Sequence, residues 1–232
     1  MAVSVRRPGD GHSRVVGGDV PASPGRMEAF SDGVLAVAIT LLVLDLRVPE
    51  PGGAAGLGHA LVALWPHAVA YVVSLAAIGI MWINHHAMVH RLAAVDHSVH
   101  VLNLLLLMSI VVLPFTTALM STYLVAPSGG HVAAAVYAGS LLVISAVFLA
   151  LERHLLVRRP HLLREPLSRA QVRAILFRAG LAPPAYLVAG AAGLVTPYLT
   201  LAVCALLGTF YLLAPRSSGE AEARPTSPST EG

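Results

Sequence analysis

Apolar runs of about twenty residues recur six times in this chain, near 27–47, 61–83, 98–122, 131–151, 171–193 and 196–214. A helix of that length crosses a hydrocarbon core about 30 Å thick. Lipid offers no partner to backbone N–H and C=O groups, so each run must satisfy them internally as a helix. A composition of 56% hydrophobic and 12% charged residues, with mean hydropathy +0.74, points the same way. The expected fold is all-α, a six-helix transmembrane bundle. Pro183-Pro184 interrupts the fifth run, and only Thr196-Pro197 separates it from the sixth, so these two form a tight hairpin.

The positive charges orient the bundle. The chain has no lysine, and with a cytoplasmic N-terminus every arginine except Arg47 falls on the inner side. Both termini are then cytoplasmic and the chain is a multi-pass protein of the cell membrane. The arginine-rich connection 152–173 is placed against anionic headgroups. Topology accounts for the pI of 9.4, and no nucleic-acid partner is expected. Residues 1–25 read as a disordered cytoplasmic arm, 26–214 as the transmembrane domain and 215–232 as a disordered tail. Phosphate loops, a Gly-x-Ser-x-Gly elbow and paired carboxylates in a catalytic frame are absent, which argues against an enzyme and against a cofactor. A Thr-Val-Gly-Tyr-Gly filter string is absent too.

The first run holds the most informative residues. Ser31 and Asp32 interrupt it, and a carboxylate at membrane depth is costly enough to need a partner. At about 100° per residue, Gly33, Val37, Thr40, Leu41 and Leu44 share one helical face, while Asp32 lies about 140° away from Val37. The stripe either lines a narrow apolar pore or packs against neighbouring helices; periodicity alone favours packing. Trp82, Asn84, His85 and His86, at the end of the second run, supply donors that match Ser31 and Asp32 in depth. His86 and His90 are one helical turn apart, but no cysteine accompanies them and no acid lies between them, so no metal site is assigned from sequence.

The string Arg26-x-x-x-Phe30-Ser31-Asp32-Gly33, running into Ala38-Ile39-Thr40-Leu41-Leu42-Val43-Leu44, together with Trp82-x-Asn84-His85-His86, closely resembles the transmembrane protein 175 family. That resemblance implies a potassium-permeable channel, a homotetramer with the first helix of each subunit around a central pore. Carried onto this chain, it implies a constriction at Val37, Leu41 and Leu44, with cation preference at Thr40. It also implies that Arg26, Phe30, Ser31 and Asp32 hold the first helix in place; Trp82, Asn84, His85 and His86 are their candidate bracing partners by depth, and Arg26 is expected to form an ion pair or hydrogen bonds with its motif neighbours. Val37 is smaller than the Ile or Leu usual at its layer, which implies a wider constriction. Asp45 forms either an acidic ring at the outer mouth or an interfacial pair with Arg47. The alternative is a proton-coupled small-solute secondary transporter using Asp32 and the membrane histidines as a relay.

Overall fold

The computed structural model describes residues 23–49 and 56–213. The tail expected at 215–232, and residues 1–22 of the expected arm, lie outside the described residues. The described chain is helical, and five of its helical segments are long and apolar enough to cross a membrane.

Helix α1, Pro24–Leu42, starts where Ser23 is still extended and a proline, which has no N–H to lose, occupies the first turn. It runs into a 3-10 turn at Val43–Asp45. Met27, Ser31, Leu35, Ala38 and Leu42 are buried, and their spacings of three and four residues place them on one face. That face packs on the helices Trp65–His90, His97–Ile110 and Leu113–Tyr123.

A short helix, α2 (Gly56–Ala63), leads into α3 (Trp65–His90). The second span therefore continues past its expected end near residue 83. Asn84, His85 and His86 lower the local hydropathy without interrupting the backbone ladder, which is capped only at Arg91. The third span is two helices, α4 (His97–Ile110) and α5 (Leu113–Tyr123), broken ahead of Pro114. Asp96 caps α4 by accepting from the Val99 N–H at 2.9 Å. Helix α6, Gly130–Arg153, follows Gly129 at φ 87°, a left-handed conformation that glycine adopts without strain.

The fifth span divides at Leu181 into α7 (Arg169–Gly180) and α8 (Ala182–Gly193), the break that Pro183-Pro184 requires. The sixth, α9 (Pro197–Leu213), is apolar but only 17 residues long, at the short end for a crossing. Gly193 permits the close approach of α8, α6 and α9: a Cβ there would sit 2.9 Å from that of Ala134.

Helix α6 is the hub, packed against α4, α5, α8 and α9. A buried hydroxyl cluster crosses the interior, with Ser74 Oγ 2.8 Å from Thr117 Oγ1 and 2.9 Å from the Tyr137 hydroxyl. It ties α3, α5 and α6 with polar groups that satisfy one another. The connection after α6 is held to the α3–α4 turn through Ala93 N–H to Leu162 O (2.8 Å) and Arg164 N–H to Arg91 O (2.9 Å). An ion pair between Arg159 and Asp96 at 3.1 Å reinforces it. The arginine-rich connection is thus zipped to its neighbour rather than a free loop.

Candidate functional site: the two faces of helix α1

The buried face of α1 carries a continuous polar network. Ser31 Oγ donates to Met27 O at 2.8 Å and accepts from Asn103 Nδ2 at 3.0 Å. Asn103 Oδ1 lies 2.7 Å from His85 Nε2. Ser31, His85 and Asn103 are all buried, so each bond replaces one that water no longer supplies. Beside this chain, the Trp82 indole donates to Asp32 Oδ1 at 2.9 Å.

Sequence reasoning placed the Ser31 and Asp32 partners among Trp82, Asn84, His85 and His86. The structure brings Trp82 to Asp32 directly and His85 to Ser31 only through Asn103. His86 Nδ1 lies 2.8 Å from Glu28 Oε1 instead. Asn84, about 200° around α3 from Trp82, lines a cavity of about 290 Å³ together with Arg91, Glu152, Gln171 and Arg178. It does not join the network. Glu28 and Asn103 were missed, since each is a lone polar residue whose partners are distant in sequence.

Arg26 is exposed and makes no ion pair among the described residues of one copy. Six residues separate it from Asp32, or about 120° around the helix, so the two cannot meet on one face.

The opposite face of α1 is open. Phe30, Val37, Leu41 and Leu44 are 56%, 55%, 43% and 67% exposed, and Arg26, Gly33 and Thr40 share their stripe. Among the described residues, no helix covers it. Thr40 Oγ1 donates to Val37 O at 2.9 Å, which leaves its oxygen lone pairs directed outward as acceptors. At the far end, Asp45 Oδ2 accepts from Ser121 of α5 at 2.7 Å rather than from Arg47.

The family described as endosomal/lysosomal potassium channel TMEM175 matches residues 26–114. A potassium channel of Streptomyces collinus is 44% identical over 187 residues, 81% of this chain and 90% of that protein. The crystal structure of a lysosomal potassium-selective channel TMEM175 homolog from Chamaesiphon minutus aligns with a TM-score of 0.74 at 41% identity, over 82% of this chain and 96% of that one. The endosomal/lysosomal proton channel TMEM175 of Homo sapiens is 38% identical over 93 residues, 37% of this chain and 18% of that protein. With that identity sustained over most of its length, the chain belongs to the TMEM175 family, a family of membrane ion channels and not of enzymes.

Proposed function

We propose that this chain is the subunit of a cation channel, potassium-selective or weakly so, assembled as a homotetramer with α1 of each copy around a central pore. The observation that carries the reading is the asymmetry of α1. One face is locked into the bundle by the buried Ser31–Asn103–His85 network and the Trp82–Asp32 bond beside it, while the other presents Val37, Thr40, Leu41 and Leu44 with none of the described residues packed over it. Copies meeting on that face would place rings of Val37, Leu41 and Leu44 on an axis, a constriction that gates by dewetting. A ring of Thr40 hydroxyl oxygens would replace part of a cation's hydration shell. Ser31 and Asp32 then hold the helix by its rear face, and Asp45, tied to α5, lies at the outer end. The arginine distribution supports a cytoplasmic N-terminus and C-terminus in a cell membrane.

The names of the bacterial relatives support potassium as the permeant ion. Proton permeation is a second reading, favoured by the name of the human relative. Recordings of the purified protein in planar bilayers decide between them. Ohmic current whose reversal potential follows the potassium gradient is expected. A reversal potential that follows pH alone would favour protons, and solute flux stoichiometric with protons would favour a carrier.

A further inference from the structure

We propose that Glu28, His86 and His90 form a binding site for a divalent transition-metal ion of the zinc class, bridging the Arg26 end of α1 to α3. One ligand atom from each residue lies within 4.8 Å of the others. Glu28 Oε1 is 2.8 Å from His86 Nδ1 and 3.7 Å from His90 Nε2. Zinc bound tetrahedrally at about 2.0–2.1 Å sets its ligand atoms about 3.3–3.4 Å apart, and the two observed separations straddle that spacing.

Two further features favour an ion over a simple ion pair. His86 Nδ1 is shut off from solvent and makes no hydrogen bond, although the carboxylate oxygen is 2.8 Å away: the two atoms are close but off the donor axis. The ring itself is held, stacked on Trp82 at 5.7 Å between centroids and meeting His90 edge-on at 4.3 Å. Trp82 is in turn fixed by its bond to Asp32. The closing movement falls to His90, whose side chain is 61% exposed and can turn towards the oxygen at little cost. Two imidazoles with one carboxylate select zinc, nickel or copper over magnesium or calcium, which prefer oxygen ligands. In the sequence the site is invisible, because the acid stands on a different helix from the histidines.

A bound ion adds a bridge between α1 and α3, so the folded chain gains stability as metal is added. Under the channel reading on which this consequence rests, the bridge also restrains the end of the pore-facing helix, and zinc lowers the current.

Zinc chloride titrated into the purified full chain, in competition with a chromophoric chelator, tests the site. One zinc per chain is expected, with a raised melting temperature. His90→Gln and Glu28→Gln should each weaken binding at least tenfold, while His59→Gln, on α2, should not. His90→Gln removes an exposed side chain, and an unchanged size-exclusion profile verifies its fold. Zinc affinity equal in wild type, His90→Gln and Glu28→Gln would overturn the site. Potassium flux in the same preparations separates the two claims. Flux lowered by zinc in wild type but not in His90→Gln supports both the site and the restraint. Stoichiometric binding with unaltered flux overturns the restraint and leaves the site standing. Zinc binding in a protein that passes no potassium contradicts the channel reading alone.

Discussion

Ser31 sits at the junction of α1, α3 and α4, because Asn103 reaches it from one helix and is itself held by His85 from another. Ser31→Ala removes the acceptor of the Asn103 amide and leaves that group buried and unpartnered, a loss of about 1–3 kcal/mol. A lower melting temperature of the detergent-solubilised oligomer is expected, with the reversal potential unchanged. A shifted reversal potential with full stability would move Ser31 into the conduction path. The same logic applies to Trp82→Phe, which keeps the aromatic stack on His86 but removes the donor to Asp32, at about 1 kcal/mol. Ser31 and Asp32 were legible in the sequence because polar groups inside an apolar run must find partners. Glu28 and Asn103 were not: neither stands in a pattern, and their roles come from side chains that only the fold brings near.

At the scale of the element, α1 divides into a face that stabilises and a face that faces outward. Leu35 is 1% exposed, so Leu35→Ala should cost about 2–5 kcal/mol, seen as lost oligomer yield, with no gain in potassium flux. Leu44→Ala, on the open face, should widen the proposed constriction and raise flux with little loss of yield. Thr40→Val keeps the shape and removes the hydroxyl oxygen, so the preference for potassium over sodium should fall in bi-ionic recordings. Periodicity identified the stripe but by itself favoured packing over pore lining; among the described residues no helix packs there. The positions of the apolar spans, five of membrane length and a sixth of 17 residues, and the Pro183-Pro184 break were also readable, because apolar runs and a missing N–H are local properties. The end of the second span was not, since hydropathy falls at Asn84 while the α3 ladder continues to His90.

At the scale of the whole molecule, the described residues form a bundle around α6 with α1 at its margin, anchored from behind and, among these residues, bare in front. The bare stripe runs from Arg26 along α1 to Leu44 in the 3-10 turn beyond it, and in the proposed tetramer each copy would supply one wall of the pore. With the proposed orientation, Arg26→Cys should react with a membrane-impermeant thiol reagent only from the cytoplasmic side, against the background of the buried Cys204. Reaction from outside would invert the topology. The central claim, that ions pass along the open face of α1, is tested most directly by liposome potassium flux of Leu41→Asn measured beside wild type, with tetramer yield determined in the same preparations. A polar side chain in a dewetted constriction admits water, so the account predicts higher flux at unchanged tetramer yield. Lost tetramer with no gain in flux would contradict it and make the stripe a packing surface between subunits.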